Sequence, residues 1–162
     1  MSLERGGRAD KEGNAYENRF LARLFLQLID EKLCYVQVEP VEENSDYAEF
    51  ITVDHEGTRK YYQCKASNRN LDHWRLSDLI SYKIFSNAQQ IVDTNPNNQY
   101  VFISPLGYSG LDSLCERART CSSLEDFVKH QLTKEYSKQF NRIAETLQLD
   151  INFPQDCEKL VW

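Results

Sequence analysis

Four side chains in this sequence could combine to do chemistry: Glu17, Glu49, Gln63 and Lys65. They supply two carboxylates, an amide oxygen and an ammonium. Oxygen donors of this kind suit Mg²⁺, which keeps several of its waters and needs few protein ligands. A cation held this way polarises a phosphoryl oxygen and makes a bound water more acidic. Lys65 could orient that water, stabilise charge on phosphorus, or serve as a base beside the metal. The spacing leaves these roles open. A Gln-x-Lys pair alone is a weak signal. It gains weight from an acid sixteen residues before the lysine and from a second acid at the head of an apolar helix stripe.

The elements that must position these groups can be read from the pattern. Residues 46–65, DYAEFITVDHEGTRKYYQCK, predict a β-hairpin. Ile51, Thr52 and Val53 are β-branched and suit a strand. Asp54-His55-Glu56-Gly57 is a turn signal, with Gly57 free to take positive φ. Tyr61 to Cys64 return. Side chains alternate along a strand, so Glu49, Ile51 and Val53 share one face, and Tyr61, Gln63 and Lys65 share another. If those faces coincide, Glu49, Gln63 and Lys65 converge at one end of the hairpin. Asp46, three positions before Glu49, falls on the opposite face of a regular strand.

Glu17 belongs to a predicted helix over 14–33, NAYENRFLARLFLQLIDEKL. Phe20, Leu21, Leu24, Phe25 and Leu28 form its apolar stripe. Asn14 reads as an N-cap, with Glu17 three residues on as its capping-box partner. Glu17 also heads the apolar stripe, so it can cap the helix and still face the sheet.

The rest of the chain supplies a strand over 35–41 ended by Pro40, then a polar loop over 66–72 carrying Arg69. A helix over 73–92 follows, with Asp72 as its cap and Arg75 in its first turn. An apolar strand over 99–104 reads as central and covered on both faces. Helices over 111–120 and 123–148 complete the pattern, the second with Leu124, Phe127, Val128, Leu132, Tyr136, Phe140 and Ile143 on one stripe. The fold class is therefore α/β, with a central mixed sheet of four to five strands flanked by helices. Residues 1–12 read as a flexible segment and 13–150 as the folded domain. Residues 151–162 read as the start of a C-terminal extension belonging to a longer protein.

A chain of 162 residues with 41% hydrophobic and 27% charged side chains can bury a core of its own. It has no run approaching a membrane span and no signal-peptide pattern at its N-terminus. Five cysteines without a Cys-x-x-Cys pair point to a reducing cytoplasm rather than a disulfide framework or zinc knuckle. The histidines lack zinc-ligand spacing: His55 belongs to an exposed turn, His73 to a helix start and His130 to a helix surface. Trp74 reads as core rather than as a platform for a base. Net charge is −6, but it is unevenly spread: residues 34–57 hold seven acids and no Lys or Arg, and residues 58–90 hold six cations and two acids. An acidic metal-binding patch beside a basic phosphate-contacting segment would show this pattern, and so would ordinary solvated faces. Arg69 and Arg75 are the candidate phosphate contacts. No Gly-x-Ser-x-Gly elbow or Walker lysine loop is present.

The set Glu17, Glu49, Gln63 and Lys65 resembles the motif of the PD-(D/E)xK, restriction-endonuclease-like superfamily. Within it, the chain resembles the Mrr-like branch, in which Gln replaces the first acid of (D/E)xK. GGRADKEGNAYENRF, EFITVDHEGTRKYYQCKASN and YVFIS are similar to the N-terminal double-stranded DNA nuclease effector of bacterial antiphage proteins, as found in CBASS effectors and antiviral STAND NTPases. The likeness runs from about Gly6 to Phe127. It implies a restriction-endonuclease-like core, with Glu17 matching the first-helix acid, Glu49 the second-strand acid, and Gln63 and Lys65 the QxK. One departure is Glu49, where the family usually has Asp; the longer side chain shifts a bound metal by up to roughly 1.5 Å.

The expectation is thus a Mg²⁺-dependent endonuclease acting on double-stranded DNA, with Mn²⁺ able to substitute. Glu17, Glu49 and Gln63 would hold the metal. Cutting both strands calls for two sites, hence a homo-oligomer, and the family implies a regulatory NTPase or sensor domain in the full-length chain. The alternative is a catalytically inactive nuclease-like fold that binds DNA or mediates oligomerisation.

Overall fold

The computed structural model describes residues 3–40, 47–66, 72–108 and 110–148, with side chains from 13 onward. The first helix, α1 (Leu3–Ile29), is longer than its apolar stripe requires. Asn14 therefore lies inside the helix and is not its N-cap. The helix stops where Glu31 takes a left-handed φ of 56° and the Lys32 N–H returns to the Gln27 carbonyl at 2.9 Å.

Four strands form the main sheet: β1 (Tyr35–Val38), β2 (Phe50–Val53), β3 (Arg59–Cys64) and β5 (Gln99–Ile103), in the order β1-β2-β3-β5. The first three are antiparallel, and β5 runs parallel to β3, so the sheet is mixed. The predicted turn joins β2 to β3. Gly57 has φ 83°, and Oδ1 of Asp54 accepts the N–H groups of Glu56 at 3.0 Å and Thr58 at 2.9 Å. A short polar side chain that satisfies its own turn is the reason Asp starts it. The strand over 99–104 was expected at the centre of the sheet. It lies at an edge of the described sheet instead, because among the described strands it pairs with β3 alone.

Helices cover both faces of this sheet. On one, Phe20, Leu24 and Leu28 of α1 pack with Phe50, Tyr62 and Cys64. The rings of Phe20 and Tyr62 are 5.3 Å apart. On the other, Ile51 and Tyr61 pack with Ile91, which has no exposed surface. Burying each such side chain contributes about 1.5–3 kcal/mol. Odd and even residues of β2 and β3 thus go to different layers, as the period-two pattern requires.

The single helix expected over 73–92 is three elements: β4 (His73–Trp74), α2 (Leu76–Ser81) and α3 (Ile84–Thr94). The break falls at Lys83, whose φ is 59°. Asp72 is not the cap; Arg75 occupies that position, and its N–H donates to Oδ2 of Asp78 at 3.0 Å. Trp74 is fully buried, edge-on to Tyr82 at 5.5 Å, as expected of a core residue. β4 and β6 (Gly107–Tyr108) make a separate two-stranded sheet.

The chain divides into two compact units, one of 1–72 with 87–107, the other of 73–86 with 108–162. The first holds the four-stranded sheet. The second contains α4 (Leu111–Arg119), α5 (Leu124–Asp126), a π-helical turn (Phe127–Gln131) and α6 (Lys134–Thr146). The helix expected over 123–148 is therefore interrupted, yet its stripe still packs apart from Val128, which is exposed. Phe127, Phe140 and Ile143 form a buried cluster with Leu114 and Ala118, flanked by Leu132 and Tyr136. The side chain of Leu124 and the extension over 151–162 lie outside the described residues.

Candidate active site

Glu49 sits at a bend just before β2, and the chain pairs there on both sides. Its N–H donates to the Tyr62 carbonyl at 2.9 Å, and its carbonyl accepts the Glu39 N–H at 3.0 Å. These bonds fix the carboxylate at the end of the sheet where β3 finishes. Oε2 of Glu49 accepts the Cys64 N–H at 2.8 Å, and Oε1 accepts a hydrogen bond from the Lys65 ammonium at 3.2 Å. The two side chains are 27% and 31% exposed, so the ion pair is partly shielded from water. Lys65 is held from its backbone as well, through a 2.9 Å bond from its N–H to the Ile103 carbonyl.

Glu17, on α1, lies within range of these charges. It is half-buried, and burial is the main cause that raises its carboxyl above the ordinary range. The charge of Glu49 pushes it up further, Lys65 pulls it down, and Glu39 pushes it up. Cys64 lies among the same charges. Burial first, then Glu49 and Glu17, push its thiol up to about 12. That thiol is packing, not a nucleophile. The structure thus puts Glu49 and Lys65 in contact, with Glu17 near enough to feel both charges.

Gln63 makes its hydrogen bond with β5. By strand alternation it shares the face of Tyr61, the face that α1 does not cover. Its amide oxygen accepts a hydrogen bond from the Tyr100 hydroxyl, and no hydrogen bond joins it to Glu49 or Lys65. Glu49, in the bend before β2, gives its two carboxylate oxygens to Cys64 and Lys65, while the Gln63 amide oxygen is taken by Tyr100.

One acid at this place was not singled out from sequence. Glu39 follows β1, exposed, with φ 47°. A glutamate there is strained, since the left-handed region disfavours residues with a Cβ. The only signal available was its place in the seven-acid stretch. Asp46 and Arg69 lie outside the described residues. Arg75 is exposed in the second unit and lines a cleft there with Lys138 and Arg142. His55, read as a solvated turn residue, is exposed but not idle. Its Nε2 lies 2.6 Å from the Glu31 carbonyl, so that nitrogen carries the proton, and Nδ1 faces Sγ of Cys34 at 3.1 Å.

Among the described residues no three His, Cys, Asp or Glu side chains form a ready metal nest. The donor set still suits Mg²⁺ in kind, since it offers the carboxylate oxygens of Glu17 and Glu49, the charge of the second raising the proton affinity of the first. Comparison with protein-family models, with curated proteins and with solved structures returns no match to any of them. Among the described residues no helix is long and apolar enough to cross a membrane.

Proposed function

We propose that this chain is a metal-dependent endonuclease domain of the PD-(D/E)xK type, acting on double-stranded DNA as the effector part of a bacterial antiphage protein. The observation that carries the reading is the contact of Glu49 with Lys65 at one end of the sheet, with Glu17 within range of both charges. Glu17 and Glu49 would hold Mg²⁺ or Mn²⁺. Gln63 is the further oxygen donor, with one of its two lone pairs engaged by Tyr100. The ion, when bound, would lower the pKa of water and offset charge on the phosphoryl group.

This chain's own groups supply the rest. The Cys64 N–H orients the Glu49 carboxylate. That carboxylate positions the Lys65 ammonium, which is aimed to stabilise negative charge developing on phosphorus. Glu17 holds a proton at a pH where an ordinary glutamate has lost it, so cation binding competes with that proton. In this reading the protein works in the cytoplasm, and a regulatory NTPase or sensor domain gathers copies of it. Self-association would supply one site per DNA strand. Exposed Phe25, Leu26 and Ile29 on α1, with Tyr35 and Val38 on edge strand β1, are the surface it would use.

A second reading, a nuclease-like fold that binds DNA without cutting it, draws on two observations. Both oxygens of Glu49 are already engaged, and Gln63 faces Tyr100. Plasmid nicking with Mg²⁺ or Mn²⁺, comparing wild type with Glu49→Gln and Lys65→Ala, separates the two. Cleavage by wild type, rising with protein concentration and lost in both variants, supports the nuclease. DNA binding without cleavage at high protein concentration supports the second reading.

A further inference from the structure

The second unit holds an open cleft of about 340 Å³ lined by Arg75, Leu76, Ser77, Lys138, Gln139 and Arg142. Three of the six are cations and none is an acid. Among the described residues, none of the three cationic side chains has an ion-pair partner. In a chain of net charge −6, unpartnered cations gathered on one cleft create a local field opposed to the overall one. Lys138 and Arg142 stand four residues apart on α6. Like charges at that spacing repel and cost helix stability, so folding alone does not favour the arrangement.

The neutral lining narrows the ligand. Gln139 is fixed beside Gly110, where an added Cβ would fall 2.7 Å from its Nε2, and its Oε1 is buried without a hydrogen-bond partner among the described residues. Ser77 adds a hydroxyl. Among the described residues no aromatic ring lines the cleft, so they offer no platform on which a base could stack. The volume lies in the range of small-ligand sites and exceeds a single phosphate. All three cations are exposed, which lets them track a chain of phosphates past the opening.

We infer that this cleft grips consecutive phosphodiester groups of a nucleic-acid strand through Arg75, Lys138 and Arg142, without reading its bases. The choice of nucleic acid over free polyphosphate rests on the nuclease reading; the anion chemistry does not. Fluorescence anisotropy of mixed-sequence duplexes in EDTA tests it apart from cleavage. Removing one cation that neutralises a phosphate lowers the slope of log K against log salt by about one. Lys138→Ala with Arg142→Ala is expected to lower that slope by about two and to weaken binding of different sequences alike. Lys129→Ala, which removes a cation paired with Glu125 on the same unit, should leave it unchanged.

An unchanged slope in the double variant overturns the inference, whatever the nicking assay shows. Pyrophosphate raising the wild-type melting temperature but not the variant's, with no duplex binding, also overturns the nucleic-acid assignment and makes the ligand a free polyphosphate. Absence of both overturns the cleft as a phosphate site. Cleft-dependent DNA binding without cleavage by wild type sustains it while the nuclease reading falls.

Discussion

The Lys65 ammonium lies 3.2 Å from Oε1 of Glu49, a residue sixteen positions earlier in the chain. The other oxygen of that carboxylate takes the Cys64 N–H, so one side chain ties together the start of β2 and the end of β3. Glu49→Ala leaves the Cys64 amide without its acceptor and should cost about 1–3 kcal/mol in urea unfolding. Glu49→Gln keeps an acceptor and loses only the partly shielded ion pair, so its cost should stay below about 1 kcal/mol. Equal losses would show that the amide hydrogen bond does not matter. On the nuclease reading, both variants lose nicking activity.

Glu17 sets a pH dependence whose sign is fixed. Its carboxyl is raised in the folded protein, by burial first and then by Glu49. The group therefore favours the folded state fully below its unfolded pKa, and that contribution is lost as pH rises through the folded value. Glu17→Gln should raise the melting temperature at neutral pH in EDTA and leave it nearly unchanged at pH below the ordinary glutamate range. If Glu17 is a metal ligand, the same variant should lose the stabilisation that Mn²⁺ gives the wild type. A variant that is no more stable than wild type at neutral pH would place Glu17 in solvent.

Tyr100 tests Gln63. Tyr100→Phe removes the hydroxyl that holds the Gln63 amide oxygen. Groups that orient a metal ligand typically change metal affinity about 10–100-fold when removed. Isothermal titration with Mn²⁺ should show a weakening of that order if Gln63 is a ligand. An unchanged affinity removes Gln63 from the metal site and leaves it as a partner of Tyr100 alone.

The β2–β3 turn depends on Gly57 at φ 83°. An alanine finds open space there but must adopt a left-handed backbone, at a cost of about 1–2 kcal/mol. A melting temperature unaffected by Gly57→Ala would mean that the turn changes type at no cost.

Thiol reactivity should single out Cys34 among the described cysteines. It is exposed beside His55, whereas Cys64 is buried with a thiol pushed up to about 12, and burial also raises Cys115 and Cys121. Iodoacetamide labelling followed by peptide mass spectrometry should mark Cys34 before these three. Labelling of Cys64 first would mean that the α1 face of the sheet opens readily.

The β2–β3 hairpin, its Asp54–Gly57 turn, the α1 stripe and the strand at 99–103 were legible because local rules govern them. Alternation, turn chemistry and helical spacing are set by neighbours in the chain. The long helices were not legible as they stand. Lys83 in a left-handed conformation and the π-helical turn at Phe127–Gln131 break patterns whose apolar spacing stayed continuous, since packing can hold a stripe together across a break. Asn14 has a cap's side chain, but sequence alone could not show that the helix continues past it.

The sequence by itself determined a mixed α/β chain, the residues that alternate into its core, and four polar or charged groups suited to meet. Tertiary structure decided which of them do. Glu17 joins Glu49 because α1 lies across Tyr62 and Cys64. Gln63 is engaged by Tyr100 because β5 runs beside β3. Glu39 enters because β1 adds to the edge beside Glu49. Each of these depends on how segments far apart in the chain are brought side by side, and a side chain's reach of a few ångströms makes such placement decisive.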